Sequence, residues 1–303
     1  MLGISTCWWH NRGDRGDEII NDILRLGLEG VELEYRITDT IYRQMKPRLK
    51  ESPRVLSIHN FFPKPEGLAG EKGSGDLFLL SSTDSDERLR AVKYSIRTMD
   101  HADDLGAKAV ILHLGHVDMT NPLPESLKPH QNSITERGNG LSLIKDKRHE
   151  REIRHQKNLD AVLFSLEKLN REAERRGIFL GIENRYYFYE IPDFEEIGII
   201  LERFQGGYVR YWHDVGHARA QENMGFTCQK DLLEAYSEMM IGIHLHDVKG
   251  IDDHLAPGQG EMDYEEITLF LQSSHIKILE VHSKVDREDL IDGIRFIKEI
   301  GLE

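Results

Sequence analysis

Asp214 and His217 stand three residues apart in the stretch YVRYWHDVGHARA (residues 208–220), where an apolar run must end. A carboxylate and an imidazole at that spacing can serve as two ligands of a cation or as an acid–base pair. The same ending recurs along the chain. Short apolar runs close on His59, on His113 followed by His116, on Glu183, on His244, His246 and Asp247, and on Glu280 with His282; Asp252 and His254 lie just after the seventh run. Taken singly, each histidine reads as a hydrogen-bonded packing residue and each glutamate as a solvated loop start. Six consecutive runs ending in ionisable groups read differently, because burying a charge without a partner is costly. Imidazoles and carboxylates without thiolates suit a divalent ion such as Mn²⁺, Zn²⁺, Co²⁺ or Mg²⁺, with histidine favouring the transition metals. In Asp214-Val-Gly-His217 the glycine is expected to let the backbone turn tightly, so that both ligands face one cavity. Glu32 and Glu34 alternate on one face of the second run, pointing inward or pairing with Arg36 or Arg185 at the edge.

The elements that carry these residues repeat. Strand patterns fall at residues 2–8, 30–35, 54–61, 107–114, 178–183, 208–213, 241–246 and 276–282. Between them, DEIINDILRLG, DERLRAVKYSIRTMDHADDLG, HQKNLDAVLFSLEKLNREAERRG, DFEEIGIILERF and REDLIDGIRFIKEIG space apolar residues at i, i+3 and i+4, several with Asp at the start and Gly past the end. Eight βα units without a linker or composition shift predict an α/β protein, a single (β/α)8 barrel spanning residues 1–303. The doubly wound alternative needs a G-x-G-x-x-G turn after an early strand, and WWHNRGDRGDE has none. A closed barrel aims the C-terminal ends of its strands at one point. Two connections are long, 62–83 and 115–148, as lids or disordered segments are; the first is rich in Gly and Pro and reads as mobile. The GQG of residues 258–260 is a weak phosphate-loop signal that a tight turn explains equally well.

Bulk properties narrow the partners. Lys and Arg number 39 against 53 Asp and Glu, a formal charge of −14 that repels a phosphate backbone. The one basic run, KDKRHEREIRHQK (145–157), reads as the start of a solvated helix. Cys7 and Cys228 form no C-x-x-C and suggest a reduced, cytoplasmic setting. The N-terminus lacks the basic flank of a signal peptide, and no run reaches membrane-spanning length, so a soluble chain without a membrane partner is expected.

The segments GVELE, SIHNF, LHLGH, GIENR and HDVGHA, and above all HLHDVKGIDDHLAPGQGEMDY, resemble the xylose isomerase-like barrels, a superfamily of sugar (phosphate) isomerases and epimerases that includes endonuclease IV. The resemblance covers essentially the whole chain. It implies Glu183, Asp214, His244 and Glu280 as central metal ligands. His217 with Asp252 and His254 form an outer cluster, and His59 with His113 a further pair; His246 falls where the family varies. It also implies proton chemistry by Glu183 and Glu280. Xylose isomerases proper carry Lys just after the strand-five Glu, whereas this chain has Asn184 and Arg185.

The function so implied is a divalent-metal-dependent isomerase or epimerase of a sugar, sugar phosphate or polyol-derived ketone, acting by proton transfer through an enediolate that the ion stabilises. Arg185 and Lys249 are candidates to grip substrate oxygens, with Glu32 beside them. Competing readings are an endonuclease IV-like zinc phosphodiesterase acting at abasic sites, a metal-dependent dehydratase or lyase, and a binding barrel without turnover. The expected partner is a small carbohydrate. Substrate, metal and oligomeric state are left open, a homo-oligomer included.

Overall fold

Eight short, β-branched runs become eight parallel strands that close on themselves in the order β1-β10-β7-β6-β5-β4-β3-β2. The computed structural model describes residues 1–13, 15–67, 73–120, 122 and 138–303. The barrel strands are β1 (Leu2–Ser5), β2 (Gly30–Leu33), β3 (Arg54–His59), β4 (Ala109–Leu112), β5 (Phe179–Glu183), β6 (Val209–Asp214), β7 (Met240–Leu245) and β10 (Ile276–Leu279). Helices α1 (Gly16–Arg25), α2 (Asp39–Leu49), α3 (Ser85–Leu105), α4 (Gly138–Arg176), α5 (Phe194–Arg203), α6 (Val215–Asn223), α7 (Gln229–Tyr236), α8 (Tyr264–Thr268) and α9 (Arg287–Glu299) fill the crossovers. This is the (β/α)8 barrel that the alternation predicts.

Local chemistry sets the helix ends. Asp84, Asp193, Asp214, Asp263 and Asp286 each accept a backbone N–H of the first turn, and Asp193 forms a reciprocal capping box with Glu196. α3 stops at Gly106, which is left-handed at φ 69°.

Strand alternation builds the inside of the barrel in layers. Its floor is apolar: Leu56, Ala109, Ile111, Ile276 and Ile278 surround the fully buried Trp212. The indole fits because β5 and β7 carry glycine beside it; a Cβ on Gly181 or Gly242 would stand 3.1 or 2.2 Å from the ring. Two residues further along their strands come His113, Glu183, Asp214, His244 and Glu280, so the ionisable layer rests on this floor.

Several features depart from the sequence expectations. A two-stranded antiparallel hairpin, β8 (Asp247–Lys249) with β9 (Asp252–Leu255), follows β7. The basic run 145–157 is helical within α4 as expected, but it is not simply solvated. Arg151 is buried, paired with Asp193 and Glu196, and His155 bonds Glu196 at 2.9 Å. In the first long connection, residues 73–83 pack firmly, with Phe78, Leu80 and Ser81 buried. Residues 68–72, and 121 and 123–137 of the second connection, lie outside the described residues, as does the lid reading that falls on them. Among the described residues no helix is long and apolar enough to cross a membrane, and Cys7 and Cys228 are both free.

Candidate metal centre

Asp214 is the N-cap of α6: its Oδ1 accepts the N–H of His217 at 2.7 Å, which explains the Asp-x-x-His spacing. The helix starts directly after Asp214, so Gly216 serves no turn. Its missing side chain instead makes room for His246, whose ring would lie 1.9 Å from a Cβ.

Four side chains from four strand ends converge. One ligand atom from each of Glu183, Asp214, His244 and Glu280 lies within 4.8 Å of all the others, and all four residues are buried. His244 Nδ1 stands 2.7 Å from Glu183 Oε1, 3.0 Å from Glu280 Oε2 and 3.5 Å from Asp214 Oδ2. Donor atoms bonded to one ion at roughly 2.0–2.2 Å stand roughly 3–4 Å apart, so the spacing fits a single cation. Three buried carboxylates around one imidazole are also an excess of negative charge that a divalent ion would neutralise.

The imidazoles are oriented as ligands should be. His59, His217 and His254 each place Nδ1 on a backbone carbonyl, of Asn60 at 3.1 Å, Asn184 at 3.2 Å and Glu280 at 2.9 Å. A carbonyl only accepts, so Nδ1 carries the proton and the Nε2 lone pair is free. His113 does the same against Asp76 Oδ2 at 2.9 Å. His244 is reversed, with Nε2 against Glu32 at 3.1 Å, and Ser57 donates to Glu32 at 2.8 Å. Further groups able to hold an ion are His59–His113–Glu183, His246–His254–Glu280 and His217–Asp253–His254.

The two glutamates are pushed apart electrostatically. Burial opposes charge on Glu183, but the neighbouring imidazoles of His113, His244 and His59 outweigh it and hold its carboxyl well below the usual range. Burial raises Glu280 well above that range, helped by the nearby Glu183, Asp214 and Glu32 against the pull of His244. Burial would neutralise His244, yet Glu280, Glu32, Asp214 and Glu183 raise it well above an ordinary histidine. Burial leaves His254 neutral, pushed down to about 3.

A cavity of about 590 Å³ opens above this layer, lined by His59, His113, Glu183, Arg185, His217, Asp252, His254 and Glu280 among others. Several expected residues fall elsewhere or act differently. Asp252 turns outward, its side chain 67% exposed and paired with Lys284, and its neighbour Asp253 takes the inward place. The register shift in the β8–β9 hairpin and the left-handed backbone of His254 (φ 54°) accompany this exchange. Glu32 lies beneath His244 rather than on the cavity wall, and Glu34 pairs with Arg36 at 2.7 Å. Lys249 is exposed on β8, away from the cavity lining. His246 is fully buried, its Nε2 2.9 Å from Asp214 Oδ1. Arg185 bonds Glu183 at 3.2 Å, Asp76 at 3.1 Å and Glu190 at 2.7 Å. Sequence reasoning missed Asp76, Asp253 and Glu190; an acid within GSGD, or beside an equally plausible Asp, carries no periodic signal.

The sequence profile of the xylose isomerase-like TIM barrel family matches residues 20–300. No curated protein matches the sequence. Among solved structures, a putative xylose isomerase from Rhodospirillum rubrum superposes with a TM-score of 0.71 at 16% identity, covering 98% of each chain. A D-tagatose 3-epimerase-like protein gives 0.69 at 17%, covering 98% of this chain and 96% of that one. A 3-keto-D-glucoside 4-epimerase from E. coli gives 0.68 at 14%, covering 98% of each. With the profile spanning residues 20–300, every barrel strand except β1, this chain belongs to the xylose isomerase-like TIM barrel family.

Proposed function

We propose that the protein is a divalent-metal-dependent epimerase or isomerase of a sugar or related ketone, moving a proton on the carbon beside a carbonyl. The observation that carries this reading is the meeting of Glu183, Asp214, His244 and Glu280 around one point on an otherwise apolar floor. These residues would hold Mn²⁺, Zn²⁺, Co²⁺ or Mg²⁺, which when bound polarises the carbonyl and stabilises negative charge on its oxygen. Glu183 and Glu280, on different strands beside the reacting carbon, are the two carboxylates that take the proton from it and return one to the same carbon or to its neighbour. Arg185 bonds Glu183 and fixes where its charge sits. The structures of similar fold include sugar epimerases, which supports the choice of substrate class. Where xylose isomerases proper carry Lys just after the strand-five Glu this chain has Asn184 and Arg185; Asn184 turns to the backbone of Asp214, and Arg185 pairs with Glu183, which leaves the proton chemistry to the glutamates.

A phosphodiester suits this cavity less well. The carboxylates of Asp76, Glu190 and Asp253 line it, and Arg185, the one arginine of its lining among the described residues, is already bonded to three carboxylates.

The test incubates the protein with D-fructose, D-psicose and D-tagatose in D₂O with and without Mn²⁺. Deuterium should enter the carbon beside the carbonyl only when the ion is present. Glu183→Gln and Glu280→Gln should each slow that exchange by about 10²–10⁴-fold. Near-normal exchange in either variant, or cleavage of abasic DNA in place of sugar exchange, would overturn the proposal.

A further inference from the structure

Between β3 and α3 the sequence Gly73-Ser74-Gly75-Asp76 forms a strap that lies directly on the site. A Cβ on Gly73 would stand 2.7 Å from the Tyr35 carbonyl oxygen, and one on Gly75 would stand 2.5 Å from His113 Nδ1. Only glycine at both positions lets the backbone come down this far, and the descent delivers Asp76 to the cavity wall. Ser74 Oγ accepts the Asp76 N–H at 3.0 Å and sets the side chain's direction.

The Asp76 carboxylate is half used. Oδ2 accepts from His113 Nδ1 at 2.9 Å and from Arg185 Nη2 at 3.1 Å. Oδ1 is buried and has no partner among the described residues. Arg185, which is itself buried and lines the same cavity, likewise keeps Nε without one. Buried polar atoms are nearly always satisfied, so an acceptor left without a partner on a residue of the cavity wall calls for a donor that a ligand brings. A hydroxyl brings one, and a phosphate, which only accepts from donors and carries negative charge, does not suit a carboxylate.

We propose that Asp76 is a substrate-contacting residue whose Oδ1 accepts a hydrogen bond from a sugar hydroxyl outside the reacting centre, and that the substrate is therefore an unphosphorylated polyol at that position. This rests on the reading of the cavity as a sugar site. The hydroxyl lies outside the reacting centre because Asp76 reaches Glu183 only through His113 and Arg185. The charge of Asp76 is secure: the His113 and Arg185 partners outweigh burial and hold its carboxyl well below the usual range.

The experiment is calorimetric binding of D-fructose, D-psicose and D-tagatose, and of their 4-, 5- and 6-deoxy forms, to the Mn²⁺-loaded protein. Asp76→Asn is the informative variant. Its amide oxygen must occupy the Oδ2 position facing two donors, so its NH₂ replaces the orphaned acceptor while both anchoring bonds remain. Wild type should bind one deoxy sugar about 10–100-fold more weakly than its parent. Asp76→Asn and Asp76→Ala should lose that same factor on the parent and nothing further on that deoxy sugar, with Asp76→Asn melting as wild type does. Parent sugars bound equally well by the variants, or every sugar weakened alike, would overturn the role of Asp76 and leave the epimerase reading standing. Sugars bound with the expected pattern but never exchanging a proton would overturn the epimerase reading and support Asp76. No binding of any sugar by wild type would overturn both.

Discussion

Replacing Gly216 by alanine should destabilise the protein although the residue sits in a helix, where alanine is ordinarily better by about 1 kcal/mol. The new Cβ would meet His246 Cε1 at 1.9 Å, and ordinary contact begins at 3.4 Å, so the ring must retreat by about 1.5 Å. His246 has nowhere to go. It is fully buried, stacked on His254 at 4.1 Å, bonded through Nε2 to Asp214 at 2.9 Å, and its Nδ1 accepts the His254 N–H at 2.9 Å. Overpacking costs about 1–3 kcal/mol, and a hydrogen bond lost from a buried carboxylate about 1–3 kcal/mol more. Against the helical gain, the net loss is about 1–5 kcal/mol, which lowers Tm by roughly 2–8 °C in a chain of 303 residues. Thermal unfolding of the metal-free protein followed by circular dichroism measures it. Adding His246→Ala should remove most of the penalty, as a direct clash requires. A Gly216→Ala protein that melts at or above wild type would refute the packing argument.

Two further outcomes are expected. Asn184 clasps Asp214 by accepting its N–H at 2.8 Å and donating to its carbonyl at 2.9 Å, while its own carbonyl fixes His217; Asn184→Leu should weaken Co²⁺ binding by about 10–100-fold in a spectroscopic titration. pH acts on the metal-free protein from both sides. Burial leaves His213 near 4 and His254 near 3, below the ordinary value of about 6.5. The unfolded chain therefore takes up protons first as pH falls below about 6.5, and stability drops there. Burial opposes a proton on His244, but its carboxylates raise it, so its contribution is full below about 6.5 and lost as pH rises through the folded value. Metal entering at pH 7 must then displace that proton, and calorimetry in two buffers of different ionisation enthalpy should show proton release; its absence would count against a charged His244.

The barrel was legible because β-branched runs and apolar helical spacing are both periodic, and because an ionisable residue at the end of an apolar run stands out. Glu183, Asp214, His244 and Glu280 stood among such residues for that reason, the resemblance to the xylose isomerase-like barrels singled these four out as ligands, and the structure brings them together. What escaped depends on contacts between distant segments. Asp253 displaces Asp252 because a hairpin decides which neighbour faces in, and nothing in IDDHL distinguishes them. GSGD reads as a mobile linker in the sequence, yet its glycines are there for close packing on Tyr35 and His113. Gly216 invites the reading of a turn, and its reason is a ring thirty residues away. α2, α6, α7 and α8 were not singled out, being short or, in α2, carrying Pro47 within the helix.

Trp212 closes the barrel from below. With its indole wedged between Gly181 and Gly242, the barrel is a blind well. Whatever enters must depart by the same doorway, so an arriving molecule waits until the previous one has gone. The GSGD strap and the β8–β9 hairpin stand at that doorway.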